Sequence, residues 1–316
     1  MDEQLPLYST PPSVETAPPP SPPASAPALS PTSPLKAAIV AWCDHLEKES
    51  SAENTIKAFG GDLRQLATHL GAAKNVGQVT TRELNDWLLW QRTVKKCSPK
   101  TYARRITSLK AFFRWLTDTR VLAGDPAAAI IQQTVLSPLP EILSAPEVEA
   151  VLAAAETLRR AEKPDPRPWV LFTLLLQTGI KKGECLALVP NHVDLSDPAE
   201  PILWVRYPNP RYRFKERKLK LQQSWVPVYR EYLAQYGPRD KLFPWSARRL
   251  EYLLEDVGRL AGLTKRLSFD MCRWSCAVRE ARAGTDPNTI RQKLGLSKVQ
   301  WREIGAKLKK LVGPAL

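Results

Sequence analysis

Along most of this chain apolar residues return at intervals of three and four, the spacing that turns one face of an α-helix toward a core. LKAAIVAWCDHLEKE from Leu35 and SAENTIKAFGGDLRQLATHL from Ser51 both show it. TTRELNDWLLWQR opens on Thr80 with Glu83 three residues later, the spacing of a capping box. SPKTYARRITSLKAFFRWLTDT opens on Ser98-Pro99, a cap followed by a first-turn proline, and carries the stripe Ile106, Leu109, Phe112, Phe113 and Leu116. Four such helices with short loops predict a small all-α domain over residues 35–130. It ends just past Asp125-Pro126, and the proline-bearing stretch at 131–141 reads as a linker.

The pattern from 142 to 316 is mixed. APEVEAVLAAAETLRRAEK and PWVLFTLLLQTG are helical runs, whereas PILWVRY is short, apolar and rich in strand formers. Pro-Asn-Pro and the basic run RYRFKERKLKL follow it, and LQQSWVPVYREYLAQY ends in another helix. The last 70 or so residues are helical in pattern, broken at Gly262, Gly284 and Gly295. The expected fold is mainly α with a small antiparallel sheet.

Residues 1–34 hold eleven prolines among Ser, Thr and Ala. Such a segment buries too little apolar surface to offset its ordering entropy, so a disordered, partly extended arm is expected. It carries acid where a secretory leader carries base, and the chain has no apolar run of membrane-spanning length. Neither a leader nor a membrane span is expected. Five cysteines, Cys43, Cys97, Cys185, Cys272 and Cys276, are odd in number and scattered among apolar neighbours, as reduced core thiols are. Cys272 and Cys276 are four apart, yet no histidine follows His192 to complete a zinc site, so neither metal nor cofactor is expected.

Charge narrows the functional classes. The net formal charge is +14, and because residues 1–34 carry three acids and no base, the excess lies on the folded part. A polyanionic partner, nucleic acid, fits that balance; a merely soluble basic protein is the bland alternative. Lys100, Arg104 and Arg105, with Lys95 and Lys96 just upstream, are candidate phosphate contacts on the fourth helix; a merely solvated basic face is the bland alternative. The run from Arg206 to Lys220 has seven bases against one acid, Glu216. On a two-stranded ribbon Arg211, Arg213, Lys215 and Arg217 would line one face, and four adjacent cations repel unless an anion neutralises them.

The order of several phrases resembles the tyrosine recombinases of the phage-integrase type over roughly 36–308. NTIKAFGGDLRQLATHL, SPKTYARRITSLKAFFRWL and Asp125-Pro-Ala look like that family's core-binding domain. LLLQTGIKKGECLAL resembles the box of the first catalytic arginine, the basic run the lysine hairpin, and LSFDMCRWSCAV the box of a histidine and the second arginine. LFP at Leu242 to Pro244 stands where the family often has it. LGLSKVQWREIGAKL resembles the last box, with a histidine and then the nucleophilic tyrosine. The resemblance implies a helical core-binding, SAM-like domain and a recombinase catalytic-type domain.

It also implies a metal-free attack of tyrosine on a DNA phosphodiester, cations steadying the phosphate oxygens and an acid protonating the leaving oxygen. The matched positions depart from that set. Lys181 stands for the first arginine, Asp270 for a histidine, Leu296 for the later histidine and Gly305 for the tyrosine. The hairpin lysine falls on Tyr212 in one alignment, with Lys215 the nearest lysine, and only Arg273 and Glu184 fit unchanged. No tyrosine follows Tyr252.

The expectation from the resemblance is a cytoplasmic, nucleoid-associated protein that binds double-stranded DNA without cutting it, architectural or regulatory in recombination. Its two basic domains would close round a duplex. A related active recombinase, or a second copy reached through the C-terminal helix, is the expected protein partner; a floppy basic tail is the alternative for that segment. Two other readings remain: an active recombinase whose nucleophile comes from a partner or from Tyr252, and a protein-interaction module that has left DNA.

Overall fold

The computed structural model describes residues 29–132, 138–197 and 199–313. Among them are twelve α-helices and one three-stranded antiparallel sheet, and the chain divides into two compact units between residues 137 and 138.

The first unit is built from α1 (Leu35–Lys48), α2 (Glu53–Leu70), α3 (Thr81–Thr93) and α4 (Pro99–Asp118). The start signals in the sequence act as expected. Glu83 N–H donates to the Thr80 hydroxyl while Thr80 N–H donates to the Glu83 carboxylate at 3.0 Å, so two orphan donors of α3 are satisfied together. Ser98 caps α4 with Pro99 at its first position. The predicted stripe of α4, from Ile106 to Leu116, is buried throughout, and Phe112 meets Trp42 of α1 edge-on at 5.6 Å.

A polar island also lies inside this unit. Asp62 on α2 is buried and receives hydrogen bonds from Arg104 at 2.7 Å and Ser108 at 3.0 Å, both on α4. Burial pushes the Asp62 carboxyl above its usual range, opposed by Arg104, Ser108 and Arg105.

The proline-rich arm proves ordered at its end. Residues 1–28 lie outside the described residues, but 29–34 are laid on the α2–α3 loop: Gly77 N–H donates to Pro31 C=O at 2.9 Å, Val76 N–H to Ser33 C=O at 3.0 Å. Leu29 packs against the core, so backbone pairing and burial offset the ordering cost that composition alone leaves unmet. Residues 133–137 of the predicted linker are also outside the described residues. Just past its far end the chain is pinned, with Leu143 buried and its N–H donating to Ser275 Oγ at 2.8 Å.

The second unit contains α5 (Ala145–Arg159), α6 (Arg167–Thr178), α7 (Lys182–Leu186), β1 (Val193–Asp194), β2 (Ile202–Val205), β3 (Arg217–Lys220), α8 (Trp225–Tyr236), α9 (Ala247–Leu260), α10 (Phe269–Arg282), α11 (Pro287–Lys293) and α12 (Lys298–Val312). Helix α6 is apolar nearly all round and accordingly central, against α5, α8, α9 and α10. The sheet runs β1-β2-β3 with Leu203 opposite Leu219 and Trp204 opposite Lys218. Leu203, Val205 and Leu219 therefore enter the core while Trp204, Lys218 and Lys220 stay on the outer face.

The basic run differs from expectation. Only Arg217–Lys220 is strand; Pro210–Lys215 is a 3-10 helix, so the alternation that would align Arg211, Arg213, Lys215 and Arg217 on one face does not exist. Two prolines, Pro208 and Pro210, lack the N–H a ladder needs, and the Asn209 side chain accepts from Arg211 N–H at 3.0 Å, closing a local turn instead.

The C-terminal run is a docked helix through Val312 and no floppy tail; residues 314–316 lie outside the described residues. Trp301, Ile304, Leu308 and Leu311 of α12 pack with Ala277, Val278, Ile290, Leu294 and Leu296 of the same unit. Cys185, Cys272 and Cys276 are free and buried, and burial pushes the Cys276 thiol up to about 11. No described helix is long and apolar enough to cross a membrane.

Gly179 ends α6 in the left-handed region at φ +60°, and a Cβ there would stand 2.8 Å from Leu294 Cδ2 and 3.1 Å from Cys276 Sγ. The left-handed cost of about 1–2 kcal/mol adds to overpacking of about 1–3 kcal/mol. Gly179→Ala is expected to lower the urea midpoint of the second unit's unfolding with an unchanged slope.

Candidate functional site

Five charged residues meet where α6, α7, β3, α10 and the α11–α12 turn come together. Past Gly179 the chain turns through buried Ile180 into Lys181, whose N–H donates to the Glu184 carboxylate at 2.8 Å and so caps α7. Glu184 is 3% exposed and takes both arms of the Arg217 guanidinium, at 3.0 and 2.9 Å, plus the Tyr207 hydroxyl. A planar fork on a carboxylate is the strongest pairing available to these groups. Burial pushes the Glu184 carboxyl up, but Arg217, Tyr207 and the Lys181 N–H outweigh it and hold it at about 2.

Arg217 has other partners as well. Its Nε donates to Lys293 C=O at 2.6 Å and one terminal nitrogen to Lys215 C=O at 3.0 Å. It lies against Gly295, where a Cβ would come within 2.6 Å of the guanidinium. Arg273 on α10 reaches the same turn from the other side, donating to Leu294 C=O at 2.6 Å and to Gly179 C=O. Both carbonyls close helix C-termini, where a cation is favoured. Two guanidinium groups thus hold the residue 293–295 turn that leads into Leu296 and α12.

Lys181 is half-buried beside this network. Burial first, then Arg273, with Lys215 and Arg217 behind it, lowers its ammonium to about 8, while Glu184 pulls the other way. The site therefore holds Lys181, Lys215, Arg217 and Arg273 around one buried carboxylate.

The remaining matched positions carry no comparable chemistry. Asp270 is exposed in the first turn of α10, and Leu296 is buried in the α10–α12 cluster. Gly305 lies on α12 beneath the Trp301 indole, where a Cβ would meet the ring at 3.1 Å. It borders an apolar groove of about 980 Å³ shared with Ile290, Trp301 and Leu308. Tyr207 donates to Glu184, and burial and that carboxylate both push its phenol upward, away from the phenolate. Tyr252 sits on α9, its oxygen accepting from Arg248 Nε at 2.7 Å, in a cleft with Lys182 and Glu251.

Beside the site, the 3-10 segment carries exposed Arg211 and Arg213 and a half-buried Lys215, whose ammonium lies 4.7 Å from the Tyr212 ring and 5.3 Å from the Phe214 ring. On the outer sheet face Lys218 and Arg206 lie 4.3 and 5.0 Å from the Trp204 ring. Of the four cations expected on one basic face, Arg217 is the correction: its side chain is 9% exposed and its guanidinium is committed to Glu184.

The helical unit requires a similar correction. Lys95, Lys96 and Lys100 are exposed at the α3–α4 junction. Arg104 and Arg105 instead turn inward, Arg104 to Asp62 and to Ala58 C=O at 3.0 Å, Arg105 to Gln65 at 3.0 Å and Gln91. Buried Asp62 draws both away from the solvated face their spacing suggests.

Two residues escaped the sequence reading. Tyr207 was legible, since Leu203, Val205 and Tyr207 alternate onto one face of the strand pattern. Phe214, 70% exposed within a cationic loop, gave no periodic signal.

Residues 39–120 match the family described as phage integrase, N-terminal SAM-like domain. The chain is 26% identical over 285 residues to tyrosine recombinase XerD of Caulobacter vibrioides, covering 84% of this chain and 90% of that protein. It is 34% identical over 147 residues to tyrosine recombinase XerC of Mycobacterium leprae, a match spanning 45% of this chain and 48% of the relative. These similarities support the tyrosine recombinase family. In fold, the chain resembles a lambda integrase tetramer bound to a Holliday junction (TM-score 0.68, 14% identity, 90% of this chain and 80% of that one). It also resembles XerH site-specific recombinase bound to difH substrate (TM-score 0.65, 15% identity, 86% and 81%). The second unit has the recombinase catalytic-type fold, and the first is a SAM-like helical domain.

The low carboxyl of Glu184 sets a pH window. Its stabilising share is fully present above 4.5, its ordinary value, and is lost as pH falls toward 2. The shift corresponds to about 3 kcal/mol. Glu184→Gln leaves a buried guanidinium without its counter-charge, at a cost of about 3–5 kcal/mol at neutral pH. Unfolding titrations from pH 7 to 2 are expected to show the acid-dependent loss in the native chain and a flatter profile in the variant.

Proposed function

We propose that this protein binds duplex DNA through a tyrosine-recombinase fold without cutting it, in an architectural or regulatory role in recombination. The observation that carries this reading is Gly305. The position matched to the nucleophilic tyrosine has no side chain and lies under an indole, while the cations that would face a phosphate are still gathered round Glu184. Charge stabilisation without a nucleophile favours binding and leaves no covalent intermediate.

Lys181 keeps a positive charge but gives up the bidentate fork of arginine. Asp270 at the rim adds repulsion for a phosphate, and buried Leu296 neither donates nor accepts. Exposed Lys95, Lys96 and Lys100 on one unit, and Arg211 and Arg213 on the other, are the residues this reading assigns to the DNA backbone. Lys215 and Arg273 contribute positive potential from within the site. A related active recombinase or a second copy is the protein partner this reading admits; the apolar face of α12 is already packed in its own unit.

A second reading is favoured by one observation: Arg248 holds the Tyr252 phenol in a cleft with Lys182, next in sequence to Lys181. On that reading Tyr252 is a displaced nucleophile and Tyr252→Phe abolishes strand exchange.

Gel shifts at stepped salt, run beside a nicked suicide substrate, separate the two. The expected result is a salt-sensitive shift with no covalent adduct; a trapped protein–DNA adduct sinks the proposal. Reversing Arg211 and Arg213 to Glu should weaken binding and reduce the slope of log K on log salt by about two, near 0.9 per lost phosphate contact.

Lys181 adds a pH signature. An ammonium titrating near 8 is partly deprotonated above that pH, and a nearby phosphate favours the charged form. Affinity should therefore fall as pH rises through about 8, by up to one log unit per pH unit, and Lys181→Met should remove that dependence while Lys181→Arg removes it and keeps tight binding.

A further inference from the structure

Phe214 is the anomaly of the basic loop. It is 70% exposed on the 3-10 segment Pro210–Lys215, directly between Arg213 and Lys215, with Arg211, Arg206 and Lys218 in the same stretch. A phenyl ring standing in water loses the gain that burial would bring. A protein partner with an apolar pocket would have to meet this ring together with a dense set of cations. The one acid of the run, Glu216, which accepts from Tyr207 N–H at 2.9 Å, offsets only one of the seven positive charges. The partner chemistry that satisfies both features at once is an apolar stack inside a polyanion.

We propose that Phe214 is a wedge that enters between two base pairs of bound DNA and kinks the duplex at that step. This rests on the DNA-binding reading and adds what the bound protein does to its partner. Flanking cations neutralise phosphates on either side while the ring replaces the lost base stacking, the arrangement that apolar wedges use in architectural DNA-binding proteins.

The loop is built to hold such a ring outward. Lys215 places its ammonium 5.3 Å from the Phe214 ring and 4.7 Å from the Tyr212 ring. Tyr212 in turn lies 6.0 Å from Tyr207, whose hydroxyl bonds Glu184. A chain of ring and charge contacts thus runs from the wedge to the buried Glu184–Arg217 pair. Two prolines and the Asn209 turn restrict the backbone that leads into it, which lowers the ordering entropy lost on insertion. Because pyrimidine–purine steps kink most readily, target choice would follow deformability at the wedge step, with TA and CA/TG steps preferred over A-tracts.

The test uses the full chain and a duplex series with 2-aminopurine placed step by step, end-labelled for energy transfer, with binding measured in parallel by gel shift. The native protein is expected to brighten 2-aminopurine at one or two adjacent steps and shorten the end-to-end distance, most with TA at that step. Phe214→Ala, at an exposed position that leaves the core intact, should bind roughly 5- to 100-fold more weakly, the range for loss of one base–aromatic stack, with both signals gone. Phe214→Leu, still an apolar wedge, should retain the kink. Binding by native protein without local brightening, or brightening and bending that survive Phe214→Ala, overturns the wedge while DNA binding stands. Absence of any shift with duplex overturns both readings together.

Discussion

A carboxylate held away from water is the constraint around which the second unit is arranged. Glu184 is tolerable in the interior because Arg217 meets it with both arms, Tyr207 adds a hydroxyl and Lys181 a backbone N–H. That single requirement draws β3 onto α7, fixes the course of the chain after β2, and brings a guanidinium within reach of the Lys293 carbonyl. Arg273 performs the companion task from α10, bridging the last carbonyls of α6 and α11. The turn into α12 is thereby set by two cations whose donors are largely committed to protein acceptors.

This arrangement separates two properties that a phosphoryl-transfer site normally combines. Positive potential survives, since Lys181 and Lys215 remain near the guanidinium groups and depress the proton affinity of Lys181. At the position that the resemblance matches to the nucleophile, Gly305 offers only a backbone under the Trp301 ring. On the function proposed here, a site with the first property alone would attract a polyanion and leave it unchanged. The helical unit independently matches the phage-integrase N-terminal SAM-like domain.

Much of the fold was legible from local rules. Thr80 with Glu83, Ser98 with Pro99, and the glycines at 179, 262, 284 and 295 mark helix ends by mechanisms that act within a few residues, and the structure places the ends there. What the sequence concealed depends on distant partners. Arg104 and Arg105 read as a basic face until Asp62, some forty residues earlier, is found buried beneath them. Arg217 likewise reads as one more exposed base because its counter-charge lies 33 residues upstream, beyond any periodic pattern. The basic run misled for a local reason that was open to notice: two prolines bracket Asn209, and a ladder cannot pass through them. The end of the proline-rich arm misled in the opposite direction, since composition is silent about the loop at Gly77 that receives Pro31.

The fit between Arg217 and Gly295 has a consequence for inheritance. A guanidinium nitrogen stands where the first carbon of any side chain at 295 would go, and the backbone there is left-handed at φ +59°. Positions 217 and 295 are therefore not independent letters. Descendant sequences that enlarge the second must first shorten or redirect the first, and doing so strands Glu184, so the three should drift as a linked set or not at all.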